Sequence, residues 1–286
     1  YNKYYCTMFD ICFKNIREKP YINEHIISAS KCFIKEGFEL DNGRLVSAAK
    51  IAITITNVDF EMIDKFYDYD SFKVENMYIY KKDYLPKELI QSIIKLYKDK
   101  TELKGVKGKE QEYLNGKSLL NSVFGMMVTD ISKDSIIYED EWDKEPADVT
   151  KDIERYNHSK KRFLFYPWGV WCTAYARRNL QYGILEFGND YIYSDTDSLK
   201  VKHADRHMAY INRYNKQCEV KLKAMCKKRG IEYSDLEPKT IKGIKKPIGV
   251  WDYETKGDPY IKFKTLGAKR YLTYQRVEGY HLTVAG

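Results

Sequence analysis

The period of the hydrophobic positions changes several times along the chain, and each change predicts an element. Residues 51–56 (IAITIT) have the β-branched alternation of a strand. Thr56 and Asn57 then offer caps for a helix, in which Val58, Phe60, Met62, Ile63 and Phe66 carry the apolar side. Pro86 opens a second helix with Leu89, Ile93 and Leu96 on one face, leaving Lys95, Lys98 and Lys100 for solvent or a ligand. The run Lys104, Gly105, Val106, Lys107, Gly108, Lys109 breaks it, and a further helix from about Gln111 to Val128 completes a helical hairpin. At about 100° per residue, Leu119, Leu120, Val123, Met126 and Met127 fall on one side of that helix. Lys117, Asn121, Phe124 and Gly125 fall on the other.

From Asp130 to Glu154 ten acids face three lysines in short strand-like and loop-like pieces, the pattern of a solvated insertion. Pro167 and Trp168 begin a long helix through Ala174, Ala176, Leu180 and Ile184, which Gly188 and Asn189 can end. Strand, turn and strand follow over 191–202, and then a charged helix over about 205–229. The last part reads as strands, at Pro247–Glu254, Tyr260–Thr265, Arg270–Gln275 and Tyr280–Val284. The fold class expected from this order is α+β.

Composition narrows the picture. The 286 residues are 43% hydrophobic and 31% charged, too apolar for wholesale disorder and too interrupted by charge to span a bilayer. Lys and Arg total 49 against 41 Asp and Glu, and the resulting net charge of +8 suits a polyanion such as nucleic acid. Tyrosine, at 26 residues, supplies rings with a polar tip where bases or sugars are stacked. The six cysteines form no C-x-x-C pair, which points to reduced thiols in a cytoplasm and to no zinc. The opening on Tyr1 and the stop at Val284, Ala285 and Gly286 within a strand-like run suggest a piece of a longer protein.

The chemistry concentrates in Tyr191, Ile192, Tyr193, Ser194, Asp195, Thr196, Asp197, Ser198 and Leu199, where two strand-like runs flank a tight turn with paired aspartates. Asp and Ser at a turn are common, but two acids at i and i+2 on a hairpin tip can also reach one metal site. Such carboxylates suit hard Mg²⁺, which takes oxygen ligands and leaves positions open for phosphate and water.

These nine residues resemble the Y-x-D-T-D-S motif, motif C, of family B DNA polymerases. Upstream, Lys117, Asn121, Ser122, Phe124 and Gly125 match the K-x-x-x-N-S-x-Y-G pattern of that family's fingers helix, with Phe in place of the usual Tyr. The resemblance implies that Lys117 holds the triphosphate of the incoming nucleotide, that Asn121 and Gly125 belong to the same site, and that Phe124 packs beneath sugar and base. Lys100 resembles the other basic phosphate ligand of the fingers. Gly267, Ala268, Lys269, Arg270 and Tyr271 are similar to the K-x-Y or K-K-R-Y element that grips the primer terminus, and Tyr193, Thr196 and Ser198 would be further contacts on the DNA side. Pro167, Trp168, Gly169, Val170, Thr173, Ala174, Ala176 and Arg177 resemble the palm helix of protein-primed phage polymerases. That subfamily implies a priming protein, called a terminal protein, as partner beside primer–template DNA and dNTP, with no membrane, in the cytoplasm of a bacterial host.

On this resemblance residues 1–86 are a palm portion or insertion, 87–128 the fingers, 129–165 an insertion, and 166–286 the palm with its primer-gripping strands. The implied reaction is two-metal nucleotidyl transfer onto a primer 3′-OH, using Mg²⁺ or substituting Mn²⁺, with Asp197 as shared ligand and Asp195 in support. The family's motif A, D-x-x-S-L-Y-P, is missing, as are the exonuclease domain and most of the thumb. Phe9, Asp10, Ile11, Cys12 and Phe13 are superficially like motif A but lack S-L-Y-P and read as an ordinary strand. A chain so truncated leaves an alternative, a catalytically incomplete remnant or split subunit that binds DNA or a priming protein.

Other motifs fail. Gly116, Lys117 and Ser118 end like a P-loop, yet Gln111 stands where the first glycine belongs. His203 and His207 lack the third ligand of a zinc site and read as a solvated helix start. Between Lys239 and Arg270 nine basic residues face three acids, with Trp251, Tyr253, Tyr260 and Phe263 among them, which suggests a duplex-binding surface or a solvated sheet face.

Overall fold

The computed structural model describes residues 4–20, 22, 24–160, 165–255 and 257–284. Lys256 of the basic run and the closing Ala285 and Gly286 lie outside them. The chain divides into two compact units, residues 1–178 with 238–246, and residues 179–237 with 247–286.

The first unit is built on an antiparallel sheet. Strands β1 (Tyr5–Glu18), β2 (Cys32–Asp41) and β3 (Arg44–Thr56) lie in the order β2-β3-β1, and β1 also pairs with β4 (Tyr67–Asp68) and β5 (Ser71–Lys81). Phe9, Ile11 and Phe13 alternate inward along β1, and the phase moves by one residue at Asn15, whose φ of +51° lets Ile16 turn inward as well. Helix α1 (Asn57–Phe66) starts where its sequence demands: Thr56 Oγ1 accepts from the Asp59 amide while Asp59 caps the Thr56 amide in return, a full capping box. Its Val58, Met62, Ile63 and Phe66 are buried.

Helices α2 (Lys87–Leu103) and α3 (Glu110–Met127) form the expected hairpin. The two helices pack against each other at Gly116, where a Cβ would find ordinary van der Waals contact, 3.7 Å from the Lys100 amide nitrogen. The buried stripe differs from the wheel reading. Gly116 and Met127 are buried and Leu120, Val123 and Phe124 half-buried, whereas Leu119 and Met126 are 56% and 46% exposed. The inward face thus keeps Leu120, Val123 and Met127 of the expected side, adds Gly116 and Phe124, and leaves Leu119 and Met126 outside. The acidic insertion forms a hairpin, β6 (Ser135–Tyr138) with β7 (Trp142–Glu145), and a short helix α4 (Val149–Asn157) capped by Asp148.

Helix α5 (Tyr166–Phe187) runs from one unit into the other. In the first, Trp171 and Ala174 pack with Cys6 and Val58, and Arg177 forks onto Asp59 Oδ1 at 3.1 and 2.7 Å. The second unit holds the hairpin β8 (Tyr191–Asp195) and β9 (Ser198–Val201), the long helix α6 (Met208–Arg229), and a three-stranded sheet of β10 (Lys262–Gly267), β11 (Arg270–Gln275) and β12 (Gly279–Val284). Residues 247–254 form no strand, contrary to the pattern. The Asn215 side chain of α6 donates to Trp251 O and accepts from Trp251 N, both at 2.8 Å, so one amide group does what a neighbouring strand would have done. The architecture is α+β. No helix among the described residues is long and apolar enough to cross a membrane.

Candidate functional site

The paired aspartates stand at the tip of the β8–β9 hairpin, where Asp195 pairs with Ser198 and only Thr196 and Asp197 make the turn. Two-residue hairpin turns require positive φ, and Thr196 supplies it at +54°. A β-branched residue rarely accepts that conformation, so the turn is held against local preference, as strained backbone at functional sites often is. The Asp197 amide donates to Asp195 O at 2.6 Å and Ser198 Oγ donates to the same carbonyl at 3.2 Å, which locks the tip. Thr196 Oγ1 donates to Asp195 Oδ1 at 2.9 Å. Asp195 is half-buried with one oxygen engaged, whereas Asp197 is exposed.

Below the tip, Tyr193 joins this hairpin to the primer-side candidates. Its hydroxyl accepts from the Lys269 amide at 2.9 Å. Its ring lies 5.5 Å from that of Phe263 and 5.4 Å from that of Tyr271, and those two rings stack at 5.4 Å. Lys269 sits with φ +57° in the β10–β11 turn, between Gly267 and Arg270, which are paired. Tyr193, Asp195, Thr196, Asp197, Ser198, Lys269, Arg270 and Tyr271 thus belong to one unit. Phe263, placed by the sequence only in the basic run, joins this ring cluster from β10.

The nucleotide-side candidates belong to the other unit. Lys117, Asn121 and Gly125 are exposed along α3, Phe124 is half-buried, and a Cβ at Gly125 would meet nothing within 4 Å. Lys100 is half-buried, its backbone lies against Gly116 next to Lys117, and its ammonium stands 5.9 Å from the centre of the Tyr97 ring.

Asp10 is occupied otherwise. Its carboxylate accepts from Thr54 Oγ1 at 2.5 Å and from Asn76 Nδ2 at 2.8 Å, and these two bonds hold it below the usual carboxylate range. It ties β1 to β3 and β5. His207, read as solvated, is half-buried instead, with Nε2 3.0 Å from Asp190 Oδ2; that hydrogen bond lowers the Asp190 pKa. The basic run is divided: residues 239–246 belong to the first unit and the rest to the second.

For a hard cation the donor set is partial. Asp195 and Asp197 offer carboxylate oxygens at one turn, the chemistry Mg²⁺ takes. Among the described residues no group of three or more His, Cys, Asp or Glu side chains could hold a metal, so further oxygens would come from phosphate, water or another carboxylate.

No family model matches this chain, and no curated protein matches it. Solved structures do. Phi29 DNA polymerase complexed with primer–template DNA, in the post-translocation binary complex, superposes with a TM-score of 0.59 at 16% identity, covering 98% of this chain and 41% of that one. The same polymerase with primer–template DNA and incoming nucleotide gives 0.59 at 16%, covering 99% and 44%. Its orthorhombic crystal form gives 0.58 at 16%, covering 100% and 45%. The chain therefore has a DNA polymerase-like fold, and it spans less than half the length of the solved polymerases it matches.

Proposed function

We propose that this chain is the fingers and part of the palm of a family B DNA polymerase of the protein-primed type, which extends a primer 3′-OH with dNTPs on a DNA template. The observation that carries the reading is the bond from the Lys269 amide to the Tyr193 hydroxyl, which holds the turn resembling a primer grip to the hairpin whose tip bears Asp195 and Asp197. The likeness in fold to phi29 DNA polymerase supports it independently of those residues.

Asp197, exposed at the tip, would be the shared metal ligand, with Asp195 beside it. Bound Mg²⁺, or Mn²⁺ in its place, supplies activation of the 3′-OH and neutralisation of the triphosphate. The chain's own contribution is positioning: Thr196 and Ser198 fix the tip, and Lys269, Arg270 and Tyr271 meet the primer strand. Lys117 and Lys100 would take the triphosphate, Asn121 and Gly125 would line its seat, and Phe124 would lie under sugar and base. A terminal protein would be the partner that provides the first hydroxyl.

The test is Asp197→Ala in the full-length protein. Nucleotide addition in Mg²⁺ should fall by at least about a thousandfold while primer–template affinity stays close to wild type, because a metal carboxylate acts on the transition state more than on ground-state binding. Extension at the wild-type rate would remove Asp197 from the site. A second reading, a remnant or split subunit that binds without catalysis, is favoured by the partial acidic set. It predicts that wild-type and Asp197→Ala proteins bind DNA alike and that neither extends a primer.

A further inference from the structure

The stem of the β8–β9 hairpin, away from its aspartates, lines a cavity of about 1040 Å³ that lies wholly within the second unit. Tyr191 and Val201 contribute from the stem, and Tyr253, Tyr260 and Phe263 contribute aromatic walls from β10 and the segment before it. Phe263 also belongs to the stack with Tyr193 and Tyr271, so this wall is fixed from behind.

The charges are placed unevenly around these rings. The Lys200 side chain is only 10% exposed, with Nζ 2.9 Å from Glu254 Oε2 and 5.1 Å from the centre of the Tyr260 ring. Burial pulls the Lys200 pKa down, but Glu254 and the nearby tyrosines outweigh it and the ammonium is held charged. Lys200 therefore fixes Tyr260 in place. At the cavity lining, Lys202 and His203 are exposed, with Asp205 as the acid beside them. His203 stands at φ +47°, a conformation uncommon outside glycine, at the turn where the chain leaves the cavity for α6.

Rings beside an exposed ammonium match one ligand chemistry well, an unstacked base linked to phosphate. A duplex hides its base faces, so aromatic walls of this kind suit a single strand. The volume is at or above the range of about 300–1,000 Å³ usual for a small-molecule pocket, which leaves room for more than one nucleotide. We infer that this cavity seats single-stranded DNA, with a base stacked on Tyr253 or Tyr260 and its phosphate met by Lys202. The site is separate from the aspartate-bearing tip and does not require that the tip be catalytic.

The experiment uses the full chain without divalent metal, so catalysis does not enter, and a fluorescein-labelled oligothymidylate of about ten nucleotides as probe. Tyr253→Ala should weaken binding about tenfold and Tyr253→Phe should restore it, since only the ring is needed. Lys202→Ala should flatten the slope of log K against log salt by about 0.7, the loss of one single-strand phosphate contact. Photocrosslinking with an oligonucleotide carrying 5-iododeoxyuridine should label Tyr253 or Tyr260. Labelling confined to Lys269–Tyr271, or wild-type affinity in Tyr253→Ala, overturns the proposal. Displacement of the probe by dTMP at equal nucleotide concentration overturns the strand in favour of a mononucleotide. Loss of extension in Asp197→Ala leaves every one of these readouts unchanged, so the two ideas fail separately.

Discussion

The sheet of the first unit and the hairpins of the second are held in different ways. Phe13, Ile51 and Phe66 are fully enclosed, and each such side chain removes enough apolar surface from water to be worth about 1.5–3 kcal/mol. In the second unit no residue of β8 or β9 is fully buried; what fixes their tip is a set of hydrogen bonds and tilted rings around Tyr193. Apolar packing is the sum of many weak contacts, whereas a turn with Thr196 at φ +54° depends on a few directional ones. The metal-ligand candidates stand where directionality matters and burial is slight.

That contrast can be broken by substitution. The largest effect should come from packing. Gly169→Ala places a Cβ 2.3 Å from Val128 Cγ1 and 3.2 Å from Met127 Cβ, and neither neighbour is the loose end of a long side chain. Overpacking of this kind should cost about 1–3 kcal/mol in chemical denaturation. An unchanged midpoint would show that α3 and α5 yield at this contact, and the first unit would be no more packing-limited than the second.

A smaller loss is expected at the hairpin. Tyr193→Phe keeps the ring against Phe263 and Tyr271 but removes the acceptor for the Lys269 amide. Denaturation should shift by about 1 kcal/mol or less, because the exposed amide can turn to water. Primer–template affinity should fall about fivefold, the equivalent of that one net bond. Unfolding that tracks Gly169→Ala in size would mean that the second unit, too, rests on this residue.

The smallest change sharpens the role of Asp10. Its folded pKa is held down by Thr54 and Asn76, so its ionised form adds stability above the ordinary carboxylate range, and that contribution is lost as pH falls through the folded value. Asp10→Asn should therefore lower the melting temperature slightly near neutral pH, and the gap should close below roughly pH 4. A gap that persists in acid would assign the effect to packing. Primer extension unaffected by Asp10→Asn would agree with its place as a cross-strand tie rather than a metal ligand.

Much of this was legible in local sequence. The capping box at Thr56 and Asp59, the break between α2 and α3, the start of α5 and the two-strand hairpin around Asp195 and Asp197 are all decided by residues within a few positions of one another. Backbone preference and side-chain capping act at that range, so they can be read without knowing what lies across the molecule. The resemblance to family B DNA polymerases also rests on short motifs of this kind.

Three features depended on contacts between distant residues. The buried face of α3 takes in Gly116 and Phe124 and leaves Leu119 and Met126 outside. Residues 247–254, strand-like in pattern, pair with the Asn215 side chain instead of a strand. The bond from Lys269 to Tyr193 links positions 76 apart. Sequence by itself determined helices α1, α2, α3, α5 and α6, the β8–β9 hairpin and the chemical identity of its turn, because periodicity and capping are local. Only the tertiary structure decided which faces are buried and which turns are joined, because a hydrogen bond or close approach between remote residues leaves no period in the chain.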